Sequence, residues 1–334
     1  MPVTVDEARC ALIANRLREL NLQAAVYATI ESSLPDLTPL QLRECYFFLC
    51  TLLFDFKGMS ATLDGQSYHG SDLFFALARR QVQRDAEAFS AQRLATITPE
   101  RFKAIFSAKG DPARPLINRG EERAKLLQET AMALLRRYGG ALGQLLTESG
   151  GYLRRDDGKG LLDVLSELAG YYDPHLKKAF VLLKIWQRLG LWEAKDKQHL
   201  FIPVDYHLLR VALRSGIVQV SDEQLLQRLR GKVPATCAEE DEIRSAVKWA
   251  YKRVEELSGI EVFTLDELFW TIGRSCCHYA RRARCEQCDF TQCSVRLSFR
   301  YDCPGRCPLS GACIGSTDDG YRALFEPMVE TIYY

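Results

Sequence analysis

Eight of the chain's twelve cysteines fall within 38 residues, at Cys276, Cys277, Cys285, Cys288, Cys293, Cys303, Cys307 and Cys313. The other four, Cys10, Cys45, Cys50 and Cys237, are scattered singly. Such crowding needs a local cause, either a metal site or a disulfide knot. The opening stretch MPVTVDEARC has acids where a secretory leader carries basic residues, so a cytoplasmic, reducing location is expected. Crowded thiols in that compartment hold metal more often than they pair. The spacing Cys277-x7-Cys285-x2-Cys288-x4-Cys293 puts four thiols on one loop. Four thiolates so placed suit a tetrahedral zinc or a cubane iron–sulfur cluster. A second group, Cys303-x3-Cys307-x5-Cys313, either supplies ligands to that site or forms another, for zinc or iron, with Cys276 or His278. Its alternative is plain packing, since free cysteine behaves as a small buried hydrophobe.

A different chemistry is on offer between residues 173 and 214. Pro203-Val204-Asp205 leads into a helix and places Asp205 in its N-terminal turn. A carboxylate there caps free backbone amides, and those amides favour its ionised form. Lys177 and Lys178 open the preceding helix. Lys177 can serve as an amine nucleophile, bind a phosphate or pair with Asp205. The rings of Phe54, Phe56, Tyr68 and Tyr206 either stack on a flat base or pack in the core.

The elements that must position these groups are helical almost throughout. Apolar residues recur at three- and four-residue spacing over 5–20, 39–56, 71–90, 99–107, 119–138, 174–189, 222–230, 239–257 and 265–274. Thr38-Pro39 with Gln41, Thr98-Pro99, Ser221 with Gln224 and Thr264 with Glu267 read as helix starts. Runs rich in β-branched residues are short, Phe201–Val204 and Gly216–Val220, and 59–70 reads as a small hairpin or loop. The fold class is therefore all-α. We expect a helical domain over 1–270, with two lobes parting near 150–160, and a cysteine-rich loop and tail over 271–334. The longest apolar run, Cys45 to Phe54, is too short to span a bilayer, so no membrane partner is expected. A net charge of +1 over 334 residues argues against tight nonspecific binding of nucleic acid. The cysteine region departs from that balance, with Arg274, Arg281, Arg282, Arg284, Arg296, Arg300 and Arg306 against Glu286, Asp289 and Asp302. These arginines either form a basic patch or offset the charge of metal thiolates.

Three stretches resemble known families. GRSCCHYARRARCEQCDFTQC resembles the iron–sulfur loop that closes endonuclease III-type DNA glycosylases, which implies a [4Fe-4S] cluster on Cys277, Cys285, Cys288 and Cys293. VDYHLLRVALRSG resembles the catalytic segment of the helix-hairpin-helix glycosylases, whose Asp falls on Asp205 and whose bifunctional members have a Lys that falls on Lys177. Where that superfamily has LPGxG, this chain has Tyr171, Tyr172, Asp173, Pro174 and His175, without the glycines that let amides approach a DNA phosphate. Over roughly 50–255 the chain resembles the queuosine-salvage nucleotide N-glycosylases, through Lys177, Asp205-Tyr206 and Glu242-Ile243-Arg244. The resemblances imply a two-lobed helix-hairpin-helix glycosylase fold with a C-terminal metal loop. They also imply cleavage of an N-glycosidic bond, with Asp205 against the oxocarbenium-like sugar. Tyr206, His207, Arg210, Phe56 and Tyr68 are expected around the substrate. A 7-deazaguanine-type nucleotide is the first substrate expected, DNA (with strand cleavage through Lys177) the second, and non-catalytic nucleic-acid binding the third.

Overall fold

The computed structural model describes residues 2–24, 34, 37–280, 282–288 and 293–334. Arg281 and Asp289, both counted in the basic stretch above, lie outside the described residues. Fifteen α-helices and six short strands occur among the described residues, so the chain is all-α, with strands only as two-stranded pairings. It divides into two compact units, Met1–Tyr27 with Phe201–Glu330, and Ala28–Leu200 with Thr331–Tyr334. The division falls at 27, 200 and 330. The glycine-rich stretch 149–160 is internal to one unit, where Asp196 accepts from the amides of Leu153 and Arg154 at 2.7 and 2.9 Å.

The unit formed by 28–200 and 331–334 is built on helices Pro39–Cys50, Ser71–Arg84, Pro99–Ile105, Gly120–Tyr138 and Lys177–Arg188. Thr38 and Gln41 close a reciprocal capping box, and Thr98 accepts from Arg101 N, as their sequences predict. Phe74 stacks on Phe106 at 5.0 Å and 9°, and Phe102 joins them in the core. Residues 59–70 form the expected hairpin. Ser60–Leu63 pairs with Gln66–His69, and Asp64 and Gly65 supply the two positive φ angles (50° and 81°) that a two-residue turn requires.

In the other unit, helix Glu7–Glu19 packs on helix Cys237–Ser258, and helix Tyr206–Ser215 packs on helix Val262–Arg274. Two helix starts differ from expectation. The helix expected from Ser221 is capped instead by Asp222, which accepts from Leu225 N. The helix expected from Thr264 begins at Val262, because Glu261 accepts from the amides of Phe263 and Thr264 and the earlier start buries Val262 and Phe263. Phe201–Val204 is not a strand, whereas Val218–Val220 pairs antiparallel with Val3–Val5. No helix among the described residues is long and apolar enough to cross a membrane.

Candidate active site

Asp205 is the N-cap of helix Tyr206–Ser215. Its Oδ1 accepts from His207 N at 2.8 Å and Leu208 N at 3.0 Å, which fixes the carboxylate at the positive end of the helix. The peptide just before it is fixed as well. Arg244, 2% exposed, donates through Nη1 to the Val204 carbonyl and through Nε to Glu240 Oε1 at 2.6 Å. The Glu242-Ile243-Arg244 run thus contributes a guanidinium that holds the Asp205 loop from behind, one helical turn from its own carboxylate partner. This contact lies beyond the reach of spacing, because it joins residues 40 apart.

Tyr206 follows Asp205 and is half-buried, its ring 4.1 Å from that of His207. Burial, and then the Asp205 charge, push its phenol up from the ordinary value. His207 is buried, and the Gly273 backbone passes so close that a methyl group at Gly273 would lie 2.7 Å from His207 Cβ. Arg210 is fully buried and reaches five acceptors. It donates to Cys277 O at 2.7 Å, Gly273 O at 3.0 Å, Tyr206 O at 3.4 Å and Glu326 Oε2 at 2.7 Å, and lies 3.0 Å from His207 Nδ1. Burial works against its charge, and Glu326 with Cys277 more than offsets that, raising its pKa. Arg210 therefore ties the Asp205 helix to the start of the cysteine segment. The helix ends at Gly216, whose φ of 80° favours glycine and where a side chain would meet Ile314.

Lys177, Phe56 and Tyr68 belong to the other unit. Lys177 is the first residue of helix Lys177–Arg188, and its buried Nζ donates to Leu53 O at 2.5 Å. Asp173 stands where the hairpin glycines are absent, and it accepts from the amides of Lys177 at 2.7 Å and Lys178 at 3.3 Å. A side-chain carboxylate thus occupies the helix N-terminus that would otherwise suit a backbone phosphate. Phe56 is buried against Phe74 at 5.2 Å, with Arg123 over its ring at 4.9 Å, so its surroundings are those of a core residue. Tyr68 is half-exposed on the hairpin and donates to Gln66 Oε1 at 2.8 Å.

Sequence reasoning missed a buried cationic group in this unit. Lys178 is 2% exposed and its Nζ donates to Ile332 O at 2.8 Å, 4.8 Å above the Phe54 ring. Arg119 and Arg123 lie over the same ring. Burial foremost, with the charges of Lys177, Arg123 and Arg119 adding to it and Asp173 opposing, lowers Lys178 to about 7. We expect one lysine to titrate near neutrality in a carbon-13 NMR titration, and Lys178→Arg to remove that signal. Titration of every lysine in the ordinary range would refute the assignment. Between about 7 and the ordinary 10.5 the unfolded chain holds this proton and the folded chain does not. The group's contribution to stability therefore rises with pH across that window and is lost as pH falls through about 7.

The cysteines that spacing assigns to one cluster are not brought together as a set. The Cys293 thiol meets Cys276, which also meets Cys307. Cys277 accepts from Arg214 Nη1 at 3.4 Å. Cys288 is half-exposed, with its amide on Gly305 O at 2.7 Å. Tyr301 meets Cys303, and Cys313 donates to Arg214 O at 3.4 Å. Among the described residues no three His, Cys, Asp or Glu side chains already stand in a metal-binding arrangement.

Comparison with known proteins bears out the resemblance to queuosine-salvage enzymes. A family model described as "AGOG: N-glycosylase/DNA lyase" matches residues 183–297, which include Asp205 and the first five clustered cysteines. The chain is 26% identical over 234 residues to a queuosine 5'-phosphate N-glycosylase/hydrolase of Sphaerobacter thermophilus, covering 63% of this chain and 68% of that one. The Mus musculus protein of the same name is 25% identical over 269 residues, 72% of this chain and 77% of its own length. The Bos taurus protein of that name is 26% identical over 206 residues, 58% of each.

Proposed function

We propose that this chain is an N-glycosidase that hydrolyses the bond between a 7-deazaguanine-type base and the ribose of a free nucleotide. The observation that carries the reading is Asp205, fixed at a helix N-terminus by two amide bonds to Oδ1 and backed by Arg244 on the preceding carbonyl. As the base departs, positive charge builds on the sugar, and a carboxylate already in place stabilises it without reorganising. The same carboxylate can orient the attacking water and take its proton. The similar proteins of the mouse, bovine and Sphaerobacter chains carry the name of this reaction on queuosine 5'-phosphate. Asp173 on the amides of Lys177 and Lys178 adds a physical reason to prefer a free nucleotide over duplex DNA. In this reading the helices form a helix-hairpin-helix glycosylase fold, and the enzyme works on the nucleotide pool of the cytoplasm.

Incubating the protein with queuosine 5'-monophosphate, other nucleotides and damaged duplexes tests the proposal by chromatography of the released base. Release from the 7-deazaguanine nucleotide is expected, and cleavage confined to DNA would sink the reading. A second reading, a DNA glycosylase with lyase activity, draws on the description of the matching family model. It requires Lys177 to attack the sugar as a free amine, and borohydride would then trap a Lys177–DNA adduct.

A further inference from the structure

The five N–H groups of Arg210 meet five acceptors, and the fifth contact decides where a proton sits. Nε donates to Cys277 O at 2.7 Å, Nη1 to Glu326 Oε2 at 2.7 Å and Tyr206 O at 3.4 Å, and Nη2 to Gly273 O at 3.0 Å. The N–H left over on Nη2 faces His207 Nδ1 at 3.0 Å. A guanidinium only donates and keeps its charge, so this contact is a hydrogen bond only if Nδ1 is bare. The imidazole is then neutral, with its one proton on Nε2. The ring has little room to leave this arrangement. A methyl group at Gly273 would lie 3.2 Å from both its Cγ and its Nδ1. Arg210 and His207 are 0% and 6% exposed, so bulk water does not stand in for either partner.

We propose that Arg210 is a positioning residue that holds His207 as the neutral Nε2–H tautomer and keeps a cation from forming beside Asp205. A second proton has only Nδ1 to occupy, where its N–H would point at the N–H of Arg210. Two buried cations would then face each other with no acceptor between them. The surrounding groups divide. Asp205 and Tyr206 lie at the same helix end, and Asp205 favours an imidazolium, although its Oδ1 is engaged by the His207 and Leu208 amides. Helix Val262–Arg274 turns Gly273 and Trp270 toward the ring, with the cation of Arg274 4.5 Å over Trp270. Glu326, Cys277 and Tyr279 meet Arg210, and Glu326 is paired there. The direct contact of His207 with Arg210 decides between them. Its consequence for turnover rests on the reading of Asp205 as the carboxylate of a nucleotide hydrolase. Positive charge builds on the sugar as the base leaves, and an imidazolium two residues from Asp205 would oppose it. The lock keeps that cost out across the range in which histidines ordinarily titrate.

Nitrogen-15 NMR of the imidazoles in the full chain tests the lock without any substrate. Of the five histidines, the one whose signals His207→Gln removes should show a bare Nδ1 and a protonated Nε2. Both should stay unchanged from roughly pH 5 to 8. A proton on Nδ1, or a second proton taken up in that range, would overturn the proposal. In Arg210→Lys, whose ammonium has three N–H groups and no planar fork, His207 should titrate. A bare Nδ1 throughout that range in a folded Arg210→Lys protein would show that Arg210 does not set the proton. The positioning role is read from kcat on the nucleotide against pH. As pH falls below neutrality the Arg210→Lys protein should lose turnover by about tenfold per pH unit, a limb absent from the unaltered protein. Equal profiles for the two proteins, with His207 titrating in the variant, would overturn the role in turnover. An unaltered protein that leaves the nucleotide intact overturns the reaction and with it that role, while the imidazole spectra still decide the tautomer.

Discussion

Asp205→Asn is expected to lower turnover of the nucleotide roughly a hundred- to ten-thousand-fold while leaving the helical fold in place. The substitution separates two tasks that one carboxylate performs. As an N-cap, Asp205 uses Oδ1 to accept from His207 N and Leu208 N. An asparagine oxygen in the same position accepts both bonds, and asparagine caps helices about as well as aspartate. What it lacks is the negative charge that an oxocarbenium-like sugar requires, and a basic oxygen for the proton of water. Asp205→Ala removes both tasks, so it should add a stability loss of about 1 kcal/mol to the loss of turnover. The measurement is kcat on the nucleotide alongside a thermal melt for each variant. Near-full turnover by a well-folded Asp205→Asn protein would show that Asp205 is only a cap.

The helices were legible because their starts are local. Thr38 with Gln41 and the Asp64-Gly65 turn depend on residues two or three apart, and both form as their chemistry dictates. The starts that shifted show where local information thins. Ser221 and Asp222 are adjacent and both cap well, but Ser221 Oγ donates to Pro2 O at 3.2 Å, a residue far away in the chain, and Asp222 takes Leu225 N instead. Glu261 is a less usual cap than Thr264, and its choice is repaid by burying Val262 and Phe263. The site divides in the same way. Asp205 was legible as a cap from its place before a helix, and as a reacting group only through the resemblance of VDYHLLRVALRSG to the glycosylase segment. Arg244 on Val204 O, Asp173 on the Lys177 amide, and Phe56 in an aromatic core are contacts of the folded chain, invisible to spacing. The cysteines are the sharpest instance. Spacing groups Cys285 with its near neighbours, and it does not show that the Cys307 amide donates to Cys285 O, a bond across 22 residues.

Arg210→Met is expected to destabilise the fold by about 3–5 kcal/mol, the largest stability effect of a single side chain around Asp205. Arg210 and Glu326 are 0% and 3% exposed, and they pair at 2.7 Å. Removing the guanidinium takes the paired cation from the buried Glu326 carboxylate and one donor each from the carbonyls of Gly273 and Cys277. Each loss adds a desolvation cost that the apolar side chain does not offset. Arg210→Lys keeps the charge but not the planar fork, so it cannot reach Cys277 O, Gly273 O and Glu326 at once, and it should recover only part of the loss. The double variant Arg210→Met with Glu326→Gln also removes the buried negative charge, so it should be less destabilised than the sum of the two single variants. Denaturant unfolding of the four proteins measures this coupling. Strict additivity would mean that the pair does not act as a unit. Because Arg210 also holds the backbone of Tyr206 and the position of His207, the destabilised variants should lose turnover even where they remain folded, as a displacement of about 1 Å at a reacting group costs on the order of a hundred-fold.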